Sequence, residues 1–448
     1  MTVLSSQPYK GTRDYYPDDK RVQNYIFSTW KRVVELHGYE EYGAPTIEPL
    51  DIYAAKSGQE LVNEQTYAFT DRGGRNVAIR PEMTPSISRM VAARRQELGY
   101  PARLYSIANF MRYERPQRGR EREFWQLNTD IFGVEGALAE AEMIGLANEI
   151  MQAFGANDTM YTIRINNRNL ITVMLTQYLH LDGVQSQLMM KLLDRKDKMP
   201  VDEFQRQASD IFDPTIAHSS MKKLDVLLTA RSMADMPDEV QASPAGAEVG
   251  ELFGLLHRFG ITNAVFDAGL MRGLDYYTGT VFEVFDTDPE NNRSLFGGGR
   301  YDGLVGLFGV EPIATVGMAP GLTTTELFLR SHELLPDLNS TTEVGIVVID
   351  NTYEQAIAFA QQLRTEGVRV AVDISGRKMD KQIKAILKKN IPFMVFVGEN
   401  ELASGMYPFK DTKTTNEETL SAERIISAVK DRRRKTVSVD DEFADFFD

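Results

Sequence analysis

The sequence lacks cysteine altogether and contains few histidines. The absence of cysteine excludes disulfides, thiol nucleophiles and thiolate metal ligands, and it is typical of a reducing compartment. None of the five histidines pairs with another at a spacing typical of metal ligands, so no metal site built from side chains is predicted. We therefore expect a cytoplasmic protein without a structural metal ion.

Long apolar runs and excess positive charge are also missing. No stretch of about 18 apolar residues occurs, so no membrane span is predicted. The first ten residues lack the basic start and apolar stretch of a secretory signal. The formal net charge of −14 argues against indiscriminate nucleic-acid binding and predicts no DNA partner. Only a local basic patch would be compatible with RNA binding.

The chain is long enough for several domains, because 448 residues exceed one typical hydrophobic core. Apolar spacing typical of helices dominates residues 168–258. A polar linker, Pro336 to Glu343, precedes alternating strands and helices that predict a small α/β domain. The predicted segments are 1–167, 168–260, 261–335, 343–430 and a mobile tail, 431–448.

Local patterns add four elements to this outline. Residues 18–37 are predicted to form a helix that Asp18 caps and Gly38 ends. A second helix is predicted at 82–98. Two strands, 102–110 and 123–132, are predicted on either side of an arginine-rich loop.

That loop, residues 112–122, is the first candidate for binding chemistry. Six arginines and two glutamates lie between 103 and 122. Guanidinium groups are always charged and bind phosphate oxygens in pairs, so the loop suits a phosphate ligand. A solvated, charged hairpin would have the same composition, and both interpretations stay open for the loop alone.

The strand that follows the loop favours a binding site. Because successive side chains of a strand point to opposite faces, its polar residues lie on one face and its apolar core residues on the other. The polar face carries Phe124, Gln126, Asn128 and Asp130. Beside an arginine loop, it resembles the floor of a site for a charged ligand that forms hydrogen bonds. The alternative is a face exposed to solvent.

Two further segments are less specific. In the first, glycines at 273 and 279 frame a bend with Tyr276 and Tyr277, which offer aromatic surface and hydroxyl groups, although strand tyrosines often serve only packing. In the second, the glycine run 297–299 allows close approach of a nucleotide or forms a turn.

Taken together, these segments resemble the class II aminoacyl-tRNA synthetases, and specifically the histidyl family. Arg-Gly-Leu-Asp-Tyr-Tyr-Thr-Gly at 272–279 is similar to a signature of that family, and the arginine loop with Phe-Trp-Gln at 124–126 resembles the second class motif. Arg-Pro-Glu-Met-Thr at 80–84 resembles its amino-acid-binding segment, and 38–49 resembles the first motif. The resemblance implies an α+β fold: an antiparallel sheet flanked by helices, a helical insertion and a C-terminal anticodon-binding α/β domain.

The resemblance also implies a function and its residues. It implies ligation of L-histidine to tRNA(His) through a histidyl-adenylate, with ATP and Mg²⁺ as cofactors, by a homodimer. Arg112 and Arg272 would act in catalysis at the α-phosphate. The implied histidine-binding residues are Glu82, Thr84, Arg112, Gln126, Asp130, Arg272, Tyr276 and Tyr277. The implied ATP-binding residues are Arg112, Glu114, Arg120 and Phe124.

Contacts with tRNA are expected at two places. The second-motif resemblance implies Gln117 and Arg122 near the acceptor end. Lys381, Lys384 and Lys388 fall on one face of a predicted helix in the C-terminal domain, where they would meet RNA or only solvent.

One departure from the family pattern leaves a rival function open. The third motif normally ends in Gly-apolar-Glu-Arg, and its arginine holds the ATP γ-phosphate, whereas Thr323 and Thr324 stand at those positions here. Arg120 or Arg300 is a candidate substitute. The rival is a catalytically inactive, histidine-sensing regulatory subunit of histidine biosynthesis, which the altered motif favours and the C-terminal domain opposes. A generic RNA-binding protein would not need the polar strand face.

Overall fold

The computed structural model describes residues 4–54, 64–196, 199–270, 276–291 and 293–441. The chain divides into two compact units, Met1–Leu335 and Pro336–Asp448. Arg272, which is expected to act in catalysis, lies outside the described residues, as do the other four members of 271–275.

An eight-stranded sheet forms the centre of the first unit. Its strands follow the order β1-β5-β6-β11-β10-β9-β7-β8. Neighbouring strands are antiparallel except at the two edges, where β1 pairs with β5 and β7 with β8 in parallel. The strands are β1 Glu40–Glu41, β5 Ala102–Met111, β6 Glu123–Phe132, β7 Tyr161–Asn167, β8 Ala264–Phe266, β9 Thr280–Asp286, β10 Ser294–Arg300 and β11 Thr315–Met318. A smaller sheet has the order β2-β4-β3, with β2 Ile47–Pro49, β3 Tyr67–Thr70 and β4 Asn76–Ile79. This architecture confirms the α+β fold implied by the resemblance.

Long helices bury one face of the large sheet. The helices of this part are α1 Pro17–Leu36, α2 Asp51–Ala54, α3 Thr84–Ala93, α4 Ala137–Ala153 and α11 Leu322–Ser331. The main core joins Trp30 of α1, Ile144 of α4 and Phe328 of α11 to Leu127 and Ile131 of β6. Because side chains alternate along a strand, the even-numbered residues of β6 project to the other face of the sheet.

The segment expected to be helical is helical. Its described residues form six α-helices: α5 Arg168–Thr172, α6 Gly183–Leu193, α7 Val201–Ile211, α8 Ala217–Thr229, α9 Asp238–Gln241 and α10 Pro244–Arg258. A π-helix, Val173–Tyr178, continues directly from α5, and a short 3₁₀ helix, Met233–Asp235, precedes α9. Their apolar faces form a separate core around Leu192, Phe204 and Leu224. Amphipathic helices must bury such faces, and here they do so mainly against one another.

The second unit has the predicted alternation of strands and helices. Its sheet has the order β13-β12-β14-β15-β16, with β12 Val344–Val348, β13 Val370–Val372, β14 Phe393–Val397, β15 Tyr407–Asp411 and β16 Glu417–Leu420. Its helices are α12 Tyr353–Thr365, α13 Met379–Lys388, α14 Glu399–Ser404 and α15 Ala422–Asp441.

Three local predictions need correction. Tyr16, not Asp18, precedes the first helical residue, and Asp18 lies in the first turn, where its charge favours the helix N-terminus. The glycine run 297–299 belongs to strand β10 and is not a turn. The tail expected from residue 431 begins too early, because α15 continues without a break to Asp441.

A buried ion pair fixes β10 to α4. The Arg300 guanidinium donates to both carboxylate oxygens of Glu140, at 2.6 and 2.7 Å, and the two side chains are 8% and 1% exposed. The same guanidinium donates to the carbonyls of Val134 and Gly136. Every polar group of the pair therefore finds a partner within the protein, which is the condition for tolerating buried charge.

We expect Arg300→Ala to lower the free energy of unfolding by about 3–5 kcal/mol, because it leaves the Glu140 carboxylate buried without its counter-charge. Chemical denaturation of the variant and the parent protein measures the difference. Arg206→Ala is the matched control, since Arg206 pairs with Glu203 on the surface, where solvent screens the pair and its contribution to stability is small. Equal losses for the two variants would contradict the importance of the buried pair.

Candidate active site

A cavity of about 360 Å³ lies against strands β6, β9, β10 and β11. Its lining includes the four polar-face residues of β6: Phe124, Gln126, Asn128 and Asp130. It also brings together parts of the chain that are far apart in sequence, from Glu82 to Thr324. The sheet therefore presents one face to the helical core and a polar cavity to the other side.

The lack of a side chain at Gly317 leaves space at the centre of this cavity. Gly317 pairs with Asp130 across β11 and β6. A Cβ atom at Gly317 would lie 2.3 Å from Asp130 Oδ1 and 2.8 Å from the Tyr301 hydroxyl. Any side chain at this position would thus displace the two polar groups that meet there.

A buried carboxyl and three tyrosines form one end of the cavity. The Tyr301 hydroxyl donates to Asp130 Oδ1, while Asp130 Oδ2 is buried without a hydrogen-bond partner among the described residues. The Tyr276 ring lies 5.1 Å from Tyr277 and 5.6 Å from Tyr301, measured between centroids. Burial raises the pKa of Asp130 to about 7. Asp130 Oδ2 is therefore available to a ligand as a hydrogen-bond acceptor, and the carboxyl group can lose its proton near neutral pH.

Tyr301 was missed as a site residue by sequence reasoning. It follows the glycine run in Arg-Tyr-Asp, a segment that the sequence singles out only for its glycines. Because Tyr301 is 2% exposed, it also has the burial of an ordinary core aromatic. The one sequence signal for Tyr301 was its position directly after the glycine-rich strand β10, two of whose glycines line the cavity.

A second carboxylate lies beside this aromatic group. The Tyr276 hydroxyl donates to Glu82 Oε2 at 3.1 Å and lies 3.4 Å from Thr84 Oγ1. Thr84 is the first residue of α3, and Glu82 precedes it by two positions. The predicted residues Glu82, Thr84 and Tyr276 are thus brought together, and Glu82 supplies negative charge suited to an ammonium group.

Arginine and aromatic side chains form the other end. Arg112 donates from Nε to the Pro81 carbonyl at 2.9 Å, and its guanidinium carbon lies 5.2 Å from the centre of the Phe124 ring. Arg120 Nη1 pairs with Glu114 Oε2 at 3.1 Å. Arg112, Glu114, Arg120 and Phe124 all line the cavity. The arginines and the aromatic ring therefore lie at one end, and the carboxyl groups of Glu82 and Asp130 lie at the other.

The threonines that replace the expected glutamate and arginine have local partners. Thr323 Oγ1 donates to Glu121 Oε2 at 2.9 Å. Thr324 Oγ1 donates to the Leu295 carbonyl at 2.7 Å, which ties α11 to the start of β10. Burial raises the pKa of the Glu121 carboxyl.

The structure separates two predicted arginines from the cavity. Arg300, a suggested substitute for the third-motif arginine, is fully engaged with Glu140 and is not among the lining residues. Arg122, expected near the tRNA acceptor end, is 9% exposed and donates to the Tyr9 hydroxyl and to the carbonyls of Lys10 and Glu114. Arg122 therefore holds the N-terminal segment against the loop, and Arg300 cannot serve the γ-phosphate.

The remaining predicted RNA-contacting residues are exposed. Gln117 lies at the tip of the arginine loop and accepts a hydrogen bond from Arg293. In the second unit, Lys381, Lys384 and Lys388 are exposed on α13, while Gln382 and Ile386 of the same helix are buried. No salt bridge involves these three lysines within the part of the chain that the structure describes.

Comparisons with known proteins agree along nearly the whole chain. The family model of histidyl-tRNA synthetase matches residues 11–324, and that of the anticodon-binding domain matches residues 343–432. Histidine–tRNA ligase from Leptospira biflexa is 40% identical over 438 residues, covering 96% of this chain and 99% of the relative. The chain belongs to the histidyl-tRNA synthetase family. This membership confirms the resemblance drawn from the motifs.

A more distant relative and a solved structure are also similar over nearly the whole chain. Histidine–tRNA ligase from Thermococcus kodakarensis is 33% identical, with 94% of this chain and 97% of the relative covered. The crystal structure of histidyl-tRNA synthetase from a Nostoc species superposes with a TM-score of 0.81 at 25% identity, covering 96% of this chain and all of that one. The fold is thus that of the family in both units.

The described residues contain neither a membrane-spanning helix nor a cluster of metal-binding side chains. None of the described helices is long and apolar enough to cross a membrane. The described part of the chain also contains no group of three acidic, histidine or cysteine side chains arranged to hold a metal ion.

We predict that Asp130→Asn removes a pH dependence of stability. The pKa of Asp130 is about 7 in the folded chain and 3.8 ordinarily, so folding takes up a proton between these values. Stability from this group is therefore fully present below about pH 4 and lost as the pH rises through 7, by up to about 4 kcal/mol.

The measurement is the free energy of unfolding of both proteins at several pH values. The advantage of the asparagine variant should grow from pH 4 to pH 7 and remain constant above that. A difference that does not change with pH would show that Asp130 has an ordinary pKa.

Proposed function

We propose that this chain ligates L-histidine to tRNA(His) in two steps. The histidine carboxylate attacks the α-phosphate of ATP, which forms histidyl-adenylate and releases pyrophosphate. The adenylate then transfers histidine to the 3′ end of the tRNA and releases AMP. The observation that carries the proposal is one cavity in a chain of this family, with Glu82, Asp130 and tyrosines at one end and arginines beside an aromatic ring at the other.

Histidine is assigned to the end with the carboxylates. Its α-amino group would bind Glu82 and Thr84, a role supported by the contact of both with the Tyr276 hydroxyl. Its imidazole would bind Asp130, whose second oxygen has no partner among the described residues. Gln126 and Tyr277 line the same space and would hold the rest of the amino acid.

This assignment accounts for selection among amino acids. An apolar side chain in place of imidazole would leave the buried Asp130 carboxyl unsatisfied, which costs about 1–3 kcal/mol or more. A site built from paired polar groups therefore rejects analogues that lack them far more strongly than an apolar pocket does.

ATP is assigned to the end with the arginines. Arg112 would hold the α-phosphate, Glu114 the adenine edge, and Phe124 would stack on the adenine ring. The Arg112 guanidinium already lies over the Phe124 ring, which supports a phosphate near an adenine in this place. Arg120 would contact phosphate after leaving its exposed pairing with Glu114.

Mg²⁺ fits the same end of the cavity. Glu121 and Glu283 line it, and magnesium takes carboxylate oxygens together with substrate phosphates. These two residues would hold the ion, and bound Mg²⁺ would neutralise charge on the phosphates.

Catalysis then needs mainly positioning and charge stabilisation. The histidine carboxylate is ionised at neutral pH and needs no general base. Arg112 would stabilise the charge that develops on the α-phosphate, and it is preorganised by its hydrogen bond to the Pro81 carbonyl. Arg272, assigned from the family signature alone, would contact the α-phosphate and the carboxylate of histidine.

Binding of tRNA is assigned to both units. Gln117 at the loop tip would meet the acceptor end, and the lysine face of α13 would meet the anticodon arm. The anticodon-binding family model over 343–432 supports the second contact. We also propose a homodimer, with 38–49 at its interface, that acts in the cytoplasm.

The rival function is a histidine-sensing regulatory subunit without catalysis. Thr324 favours it, because a charge-assisted contact to ATP is missing there. The match to the anticodon-binding family opposes it, since a sensor has no need of an anticodon contact. None of the comparisons favours this rival.

We expect the purified protein to exchange labelled pyrophosphate into ATP only when histidine is present. The reason is that exchange requires reversible adenylate formation, which the proposed site supports for histidine alone. The measurement covers all twenty amino acids separately. Histidine binding without exchange would sink the enzymatic function and favour the regulatory one.

Replacing Lys381, Lys384 and Lys388 together by alanine should weaken tRNA binding about tenfold or more, because three phosphate-facing cations are lost. Pyrophosphate exchange should stay unchanged, since it does not involve tRNA. Filter binding at two salt concentrations gives the affinity and its salt dependence.

The matched control is Lys410→Ala with Lys413→Ala and Lys430→Ala. These lysines carry the same total charge in the same unit, but each already pairs with a carboxylate. If both triple variants bind tRNA equally well, the face of α13 has no special role.

A further inference from the structure

A second cavity, of about 590 Å³, adjoins the candidate active site. The two cavities share lining residues: Gly119, Arg120, Glu283, Ser294, Leu295 and Thr324. The second cavity therefore begins at the arginine end of the first, where the chain of ATP phosphates would point. Thr324, which stands in place of the third-motif arginine, lies at the junction.

Four arginines line the second cavity: Arg118, Arg120, Arg164 and Arg293. Arg164 is already neutralised by Asp267, at 3.4 Å. Besides Asp267, the acidic lining residues are Asp194 and Glu283. Within the described ranges, neither Arg118 nor Arg293 forms a salt bridge. Two cations thus lie at this opening without a counter-charge.

Arg293 is held over the cavity by the arginine loop. It precedes strand β10 and donates from Nη2 to Gln117 Oε1 at 3.3 Å and from Nη1 to the Arg118 carbonyl at 3.5 Å. These contacts close the loop against the β9–β10 connection. They also leave the guanidinium charge unneutralised, because both acceptors are uncharged.

A hydrogen bond holds Thr324 close to the chain segment that follows Arg293. Thr324 Oγ1 donates to the carbonyl of Leu295, two positions beyond Arg293. On the other side, a Cβ at Gly119 would lie 3.9 Å from Thr324 Cγ2, so the arginine loop also approaches this point. The short side chain of Thr324 leaves space between the arginine loop on one side and the segment that carries Arg293 on the other.

We propose that Arg293, with Arg118 and Arg120 beside it, binds the β- and γ-phosphates of ATP and the pyrophosphate product in the second cavity. Arg293 supplies the charge that position 324 lacks in this chain. This inference rests on the proposed function for the identity of the nucleotide. Guanidinium groups bind phosphate oxygens in pairs, so an arginine entering from the β9–β10 connection can replace one from α11.

The test is Arg293→Gln, measured by direct calorimetric binding of ATP, AMP and inorganic pyrophosphate to the full chain. Glutamine keeps a donor for the Arg118 carbonyl and removes the charge. We expect the Kd for ATP and for pyrophosphate to rise about 10- to 100-fold, because charge-assisted contacts of this kind are lost. The Kd for AMP and the KM for histidine should stay within twofold.

A rescue variant makes the test specific. Adding Thr324→Arg to Arg293→Gln returns a cation to the junction of the cavities, and it should recover most of the lost ATP affinity. Arg231→Gln is the control, since Arg231 is an exposed arginine on the insertion. It should bind every ligand as the parent protein does.

Several outcomes would overturn the proposal. Unchanged binding of ATP and pyrophosphate by Arg293→Gln would do so directly. If the Kd values for ATP and AMP rise equally, Arg293 only positions the arginine loop. If the KM for tRNA alone rises, Arg293 binds RNA phosphates and not those of ATP. If the parent protein shows no histidine-dependent exchange, the proposed function fails, while the ATP-to-AMP comparison still decides the role of Arg293.

Discussion

The alternation of side chains along β6 is the constraint on which the rest of the first unit depends. Leu127 and Ile131 point into the helical core, and Gln126 and Asp130 point into the cavity. Since successive side chains alternate, a shift of one residue in register would exchange core and site. The ten-residue pairing of β6 with β5 and its pairing with β11 fix that register on both sides. Packing energy and site geometry are therefore set by the same hydrogen bonds.

The register of β6 also determines the chemical properties of the buried Asp130 carboxyl group. Asp130 is surrounded by Tyr301 and the backbone at Gly317, and no cation lies within ion-pair distance in the described part of the chain. Its pKa therefore approaches that of an imidazole, so Asp130 and the imidazole of a histidine bound as proposed would share a proton at neutral pH. A cationic neighbour would lower the pKa of Asp130 and repel the imidazolium form. The lack of such a neighbour favours recognition of histidine.

Much of the outline could be predicted because it depends on local patterns. The helical insertion, the strands on either side of the arginine loop and the polar face of β6 follow from periodicity within short windows. The partners of single arginines could not be predicted in this way. Arg300 and Arg122 carry the same charge as Arg112 in the sequence, but they meet Glu140 and Tyr9, which lie 160 and 113 positions away. Only the folded chain decides which guanidinium is buried in an ion pair and which lines the cavity.

The same reasoning explains why a missing motif residue need not mean a missing function. A phosphate subsite requires positive charge and donors at a place, and it does not require them from a particular helix. At the junction of the two cavities, α11 contributes the short side chain of Thr324 and the arginine loop contributes Arg120. Arg293, directly before β10, lines the second cavity. The hydrogen bond from Thr324 to Leu295 then has a structural use, because it anchors the strand that begins directly after Arg293. In the proposed arrangement, the threonine on α11 and the arginine directly before β10 thus belong to one site for the phosphates.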